Sequence, residues 1–338
     1  MVLLSNIIVS DPFNSSADPK MPFLAEAIAP MQVQRYLAQA LGDRLEGIEL
    51  QGIQVMRHKM GRRCGIAYNI KARKSDSSKY MAIIGKVRAK GLDYPSYELQ
   101  RSLWNAGFGD RSSDGISVPE VLGAIPRWEM WLQTKIPGSV ATDLLAGADG
   151  VALAIKIAES AHKLHQGGFV PHRCHTMTDE LKILRDRLPK VGQVYPNWAK
   201  RIAVILDKCD RLGAKTPEFE PCGIHRDFYG DQVIVNGDRL YLIDLDLYCL
   251  GNPALDIGNF IAHITEYSLR VLGNPDALSD RESAMTERFV EFHGAGMRLA
   301  IESYTTLTLV RHIYISTQIS DRRPFTKALL ELCEQRLS

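Results

Sequence analysis

An aspartate follows His225-Arg226, an amide follows five residues later, and another aspartate ends an apolar run. The stretch Gly223–Gly258 that holds them reads GIHRDFYGDQVIVNGDRLYLIDLDLYCLGNPALDIG. These residue types suit phosphoryl transfer, which asks the protein mostly for alignment and charge balance. Asp227 can receive the proton of an incoming hydroxyl. Gln232 offers the neutral amide oxygen that a hard cation accepts, and Asp244 can bridge such a cation to phosphates. Asp246 could take a second ion or hydrogen-bond the loop. Asp244 and Asp246 also interrupt the very apolar run LYLIDLDLY. Charges in such a run need a partner, and a metal ion supplies one.

The local sequence says how these groups meet. Val233–Val235 and Leu240–Ile243 flank Asn236-Gly237, a strong hairpin signal. The hairpin folds Asp244 back toward Gln232. If the second strand persists, alternation points Asp244 and Asp246 the same way.

Upstream, the chain divides into an N-terminal arm and helix (1–44), a strand-rich lobe (45–136) and a mostly helical lobe (137–338). Val2–Val9 reads as a strand or ordered arm, with no basic segment before it to make a signal peptide. Pro30–Leu41 has apolar residues at helical spacing with Gly42 after it. Gly65–Ala72 and Lys79–Ala89 form a hairpin across the polar turn Arg73–Ser78. HKMGRRCG (His58–Gly65) precedes it. Gly61 and Gly65 could lend backbone N–H groups to nucleotide phosphates, with Arg62 or Arg63 adding charge; an ordinary basic turn is the alternative. Lys86 lies on the second strand of that hairpin, and a helix follows from Tyr94 to Ala106 with Glu98 near its start. A strand lysine paired with a helix glutamate holds ATP phosphates in kinase-like folds. Ser117–Leu122 and Trp128–Ile136 complete a five-strand, one-helix lobe. Gln133–Gly138 is the expected hinge, where backbone groups could meet an adenine edge.

Val151–His165, Thr178–Leu188 and Asn197–Leu212 read as amphipathic helices. His162, His165, His172 and His175 crowd together around Cys174, but their spacing fits no common zinc pattern and suits packing and surface roles as well. From Gly258 onward the chain is helical, with breaks at Gly273-Asn274-Pro275, Gly294 and Arg323-Pro324.

The segments HRDFYGDQ, LIDLD and GNPALDIGNF are similar to the catalytic segment of the aminoglycoside phosphotransferase and choline kinase superfamily. The resemblance extends more loosely from about Arg57 to about Tyr267. Lys86, Glu98, VPEVL, the IPG turn and the KLHQGG helix end fall in the family's order. It implies an α+β, bilobal protein-kinase-like fold that moves the ATP γ-phosphate to a small-molecule hydroxyl. By that similarity Asp227 is the base, Gln232 and Asp244 bind Mg2+, Lys86 binds phosphate, and Asp256 braces the catalytic loop. Gln232 stands where the family more often has Asn, and Arg226 where most small-molecule members have Gly. Arg226 is a protein-kinase feature, yet only seven residues separate Asp244 from Asn252, too few for a peptide-docking loop.

Composition bounds the partners. A net charge of +2 over 338 residues points to neither a nucleic-acid nor a membrane partner. Six scattered cysteines without a CxxC pair suggest reduced thiols and a cytoplasmic protein. Residues 258–338 carry ten acidic and nine basic side chains, which gives no support to a polycationic acceptor. A sugar or amino alcohol fits at least as well as an aminoglycoside-like molecule. His263, Glu266 and Tyr267 are open between walls of the acceptor site and ordinary helix surface or core. The expected activity is therefore an ATP- and Mg2+-dependent small-molecule kinase. The alternatives are a catalytically silent, kinase-like nucleotide-binding regulator and a protein kinase.

Overall fold

A computed structural model describes residues 7–74, 77–169, 171 and 173–338. The chain separates into two compact units, Met1–Pro137 and Gly138–Ser338.

The first unit is built on strands β1 (Ile8–Ser10), β2 (Glu46–Lys59), β3 (Arg63–Lys74), β4 (Ser77–Arg88), β5 (Ile116–Ser117), β6 (Val121–Ile125) and β7 (Met130–Thr134). Its main sheet runs β1-β2-β3-β4-β7-β6, all antiparallel except the β1–β2 pair. The sequence reading missed β2. Its apolar residues alternate unevenly because bulges shift the register against β3 between Glu46 and Glu49, Leu50 and Gly52, and Val55 and Arg57. The β3–β4 hairpin is longer than expected, pairing up to Lys74 and Ser77. The intervening residues 75 and 76, and residues 1–6 of the proposed arm, lie outside the described residues.

Helices α1 (Leu24–Ala27) and α2 (Pro30–Leu41) pack into the same core as the sheet, and α3 (Tyr94–Leu103) follows β4. Val33, Leu37 and Leu41 on one face of α2 are fully buried with Ile53, Tyr68 and Ile83 of the sheet. Each such side chain contributes about 1.5–3 kcal/mol. Asp93 caps α3 by accepting from the Ser96 N–H (3.4 Å) and hydroxyl (2.8 Å). The helix unwinds through Trp104–Phe108, where Gly107 takes the left-handed conformation at φ 96°.

The second unit contains α4 (Ala141–Leu144), α5 (Gly150–His165), α6 (Met177–Val194), α7 (Ala199–Lys215), α8 (Ala254–Val271), α9 (Ser279–His293), α10 (Met297–Gln318) and α11 (Thr326–Arg336). One core joins α6, α7, α10 and α11 around Leu184, Ile205, Leu307, Ile313 and Leu330. Short strands are set among the helices: β8 (Ser139–Val140), β9 (Cys174–His175), β10 (Cys222–Ile224), β11 (Val233–Asn236), β12 (Arg239–Leu242) and β13 (Cys249–Gly251). β10 and β13 pair antiparallel, and β11 and β12 form the hairpin between them. Among the described residues no helix is long and apolar enough to cross a membrane. All six cysteines are free thiols.

Where α8 meets α9, the Thr265 hydroxyl lies 2.7 Å from the Glu282 carboxyl, and burial pushes Glu282 up to about 7. A raised acid pKa means the folded state keeps a proton that the unfolded state loses. Its stabilising effect is complete below the unfolded pKa of 4.5 and disappears as pH rises through about 7. Glu282→Gln is expected to leave stability near pH 4 unchanged and to raise it by roughly 3 kcal/mol at pH 8. Denaturant titrations at the two pH values measure the difference; equal effects at both would contradict it.

Candidate active site

The loop that carries Asp227 hangs from one buried carboxylate. Asp256 sits in the first turn of α8 with no solvent exposure. Its Oδ2 accepts from the His225 N–H (2.8 Å) and from His165 Nε2 (2.8 Å), and its Oδ1 accepts from the Arg226 N–H (2.7 Å). His225 Nε2 lies 2.9 Å from the Ile243 carbonyl, which only accepts, so that nitrogen carries the proton. Arg226 is held at φ 69°, a left-handed conformation that costs a non-glycine residue about 1 kcal/mol. This conformation explains why glycine suits the position and why its N–H needs a fixed acceptor. Asn259, one turn along α8, donates to the Phe228 carbonyl at 2.8 Å, and Phe228 packs on Phe260. Between these two anchors the loop presents Asp227, which is half-buried and, among the described residues, accepts no hydrogen bond from the protein.

The hairpin brings Gln232 and Asp244 to one end. β11 pairs with β12 from Val233↔Leu242 to Asn236↔Arg239, and the Ile243 N–H donates to the Gln232 carbonyl at 3.0 Å. Its tip is Gly237-Asp238 rather than Asn236-Gly237, with Gly237 at φ 57°. The expectation that Asp244 and Asp246 share a strand face is corrected. β12 ends at Leu242, Asp244 turns left-handed (φ 56°), and Leu245–Leu247 coils into a 3-10 turn. Strand alternation does not carry through such a turn, so Asp246 projects from a different backbone context than Asp244.

Tyr229 ties these groups together, and the sequence reading passed over it. Its phenol lies beside the Gln232 side chain. Burial first, then the carboxylates of Asp227, Asp231 and Asp244, push the phenol above its ordinary range. One ring therefore feels the loop aspartate and the hairpin aspartate together. An aromatic residue two positions after Asp227 was its only sequence signal.

A pocket opens beside Tyr229, lined among others by Asp231, His263, Glu266, Tyr267, Arg270 and Arg322. His263 stacks on Tyr229 with ring centroids 4.4 Å apart. His263, Glu266 and Tyr267 thus belong to the pocket wall. Asp231 accepts from the Thr142 hydroxyl at 2.6 Å.

In the first unit, Lys86 is half-buried on β4, with its ammonium 5.1 Å from the Trp131 ring centroid. Its strand partner in β3 is Gly65, above which a side chain would meet open space. Lys59, Arg62 and Arg63 gather at the β2–β3 turn. Mutual repulsion, from Arg63 foremost and then with burial and Arg57, holds the Lys59 ammonium below its ordinary range. A cluster of mutually repelling cations favours an anion.

Three expected nucleotide contacts are revised. The Gly61 N–H, in a turn at φ 63°, donates to Asp18 Oδ2 at 2.7 Å, and the same oxygen meets His58 Nε2 at 2.8 Å. That N–H is spent on the N-terminal segment. Glu98 is 46% exposed at its side chain and bridges Arg101 at 2.6 Å, one turn along α3, instead of reaching back to Lys86. Gln133 is only 4% exposed, and its Oε1 accepts from Gln100 Nε2 at 3.0 Å. Its backbone is paired within β7 to Ile84 and Val121, so it is a sheet residue and not a hinge residue.

The histidines around α5 disperse. His162 faces His293 at 3.2 Å, His165 serves Asp256, and His175 meets Glu180 at 2.6 Å. Cys174 is exposed, and His172 lies outside the described residues. Among the described residues no group of three or more His, Cys, Asp or Glu is placed to hold a metal ion. Magnesium makes a different demand, since it commonly uses one or two carboxylates and completes its octahedron with phosphates and water. The oxygen donors of Gln232 and Asp244 at one hairpin end fit that demand.

The α+β fold, with its loop, hairpin and bracing helix, is that of the kinase-like phosphotransferases. A choline/ethanolamine kinase family protein from Mesorhizobium loti superimposes with a TM-score of 0.55 at 14% identity, covering 94% of this chain and 95% of its own. The aminoglycoside phosphotransferase APH(4)-Ia gives 0.56 at 14% identity, covering 91% and 99%. A thermostable mutant of that enzyme, known as a ternary complex with AMP-PNP and hygromycin B, gives 0.54 at 14% identity over 90% and 98%. A search of curated protein sequences found no match. The chain belongs to the phosphotransferase enzyme family (APH), whose model matches residues 99–275, more than half of its length. Its class is that of the small-molecule kinases.

Proposed function

We propose that the protein transfers the γ-phosphoryl group of ATP to a hydroxyl of a small molecule in a magnesium-dependent reaction. The observation that carries this reading is the placement of Asp227 on a loop braced by Asp256 and Asn259, with Gln232 and Asp244 at one end of the β11–β12 hairpin. Asp227 aligns the acceptor hydroxyl and receives its proton as the new oxygen–phosphorus bond forms. The bond from the γ-phosphorus to its bridging oxygen breaks, and ADP leaves. Lys86, with Arg63 and its neighbours, holds the phosphates as point charges and forks. Gln232 and Asp244 hold Mg2+, with Asp246 as a candidate for a second ion. When bound, the ion neutralises charge that develops on the phosphate oxygens. The nucleotide analogue in the APH(4)-Ia ternary complex supports ATP as donor.

An ADP-release screen with sugars, amino alcohols, nucleosides and aminoglycosides, with and without EDTA, tests the reading. Transfer to at least one acceptor, abolished by the chelator, is expected. Tight ATP binding without transfer across the panel would instead assign a silent nucleotide-binding regulator. Asp244→Ala is expected to raise the Mg2+ concentration for half-maximal activity at least tenfold, about 1.4 kcal/mol. An unchanged magnesium titration would remove Asp244 from this role.

A further inference from the structure

The pocket beside Tyr229 is charged unevenly along α8. The helix starts at the catalytic loop, where Asp256 holds the backbone and His263 stacks on Tyr229. Glu266 lies about one turn beyond His263 and Arg270 about one further, roughly 10 Å along the axis from His263. Glu266 is 2% exposed, and its carboxylate is taken by Arg270 at 2.8 Å and 3.2 Å. Arg322 approaches the same carboxylate at 3.8 Å, beyond hydrogen-bond range, while its side chain keeps 29% of its exposure.

Two guanidiniums therefore share one carboxylate, which leaves about one positive charge at this end. The fork of Arg322 has donors that Glu266 does not use. His263 and His312 add no charge. Burial first, then His312 for His263 and Arg311 for His312, followed by Arg322, hold both well below the ordinary histidine range. The opposite end of the pocket is negative, because Asp231 lines it beside Tyr229, two residues after Asp227.

Resting on the phosphotransferase reading, we propose that the acceptor is a hydroxycarboxylate: Arg322 receives its carboxylate, and its hydroxyl is presented at the Asp227 end. A planar guanidinium matches a carboxylate in bidentate geometry. One net positive charge balances a monoanion better than a phosphate dianion. A cationic acceptor would place its ammonium against the two arginines.

The test uses matched pairs that differ in the anionic group: glycerate with glycerol, gluconate with glucitol, serine with serinol. ADP release and phosphorylated product are followed at saturating ATP. The acids are expected to show kcat/KM at least tenfold above their neutral or cationic matches. Arg322→Ala is expected to raise KM for the acids at least tenfold with KM for ATP unchanged, and Arg322→Lys to restore part of it. Preference for the neutral or cationic partners, or an unchanged KM for the acids in Arg322→Ala, overturns this proposal and leaves the transfer reading standing. Transfer to no acceptor by a protein that binds ATP overturns both.

Discussion

Asp227→Ala is expected to lower kcat about 1000-fold while ATP affinity stays within about threefold. A positioned general base contributes roughly 100- to 10,000-fold, and 1000-fold corresponds to about 4 kcal/mol of transition-state stabilisation. The fold should survive, because the half-buried carboxylate accepts no hydrogen bond from the described residues and its removal strands no donor. Asp227→Asn keeps the shape and removes the proton acceptor, so it should fall nearly as far. Calorimetric titration with ATP and an ADP-release assay with an active acceptor separate binding from chemistry. Turnover near that of the unmodified protein in either variant would remove Asp227 from the reaction. A parallel loss of ATP binding would instead place its effect on the nucleotide site.

Asp256→Ala is expected to be the most destabilising single change in the site, by about 3–5 kcal/mol. It would leave three buried donors without their acceptor: the His225 N–H, the Arg226 N–H and His165 Nε2. Each stranded donor costs about 1–3 kcal/mol. Among the described residues His165 Nδ1 is already buried without a partner, so that ring has no second anchor there to fall back on. Arg226 would also lose the bond that offsets its left-handed backbone. Asp256→Asn retains one oxygen but turns an NH2 group toward a donor. It should keep more stability than the alanine variant and still lose at least 100-fold in kcat, because the loop no longer fixes Asp227. Thermal unfolding measured beside single-turnover phosphate transfer distinguishes the two effects. A variant with unaltered melting and turnover would show that the loop holds its shape without this brace.

The division between what could be read from the chain and what could not follows from the range of each interaction. Asp227, Gln232 and Asp244 stand out as candidates because short-range rules connect them: a triplet, a five-residue step and a hairpin. The same rules failed one residue past the strand end. Nothing local announces that Asp244 turns left-handed, since a conformation uphill for aspartate persists only when its surroundings hold it. β2 escaped because its bulges break the period-two pattern on which strand recognition depends. Gly61, Glu98 and Gln133 were chemically suitable, but other residues hold them. Their partners are Asp18, Arg101 and Gln100, and those at 18 and 100 lie 43 and 33 residues away along the chain.

The sequence by itself determined the residue chemistry: two aspartates and an amide in an order that suits phosphoryl transfer, and helices that bury one face. Only the tertiary structure decided which groups meet. It placed Tyr229 near the carboxylates of Asp227 and Asp231, hung the Asp227 loop on Asp256, and set Arg322 beside Glu266. Composition over residues 258–338 gave near-neutrality and no hint of polarity. The packing of α8 against the 3-10 turn at Ser320–Phe325 separates those charges in space. Electrostatic energy depends on distance, which a linear count of charges does not contain.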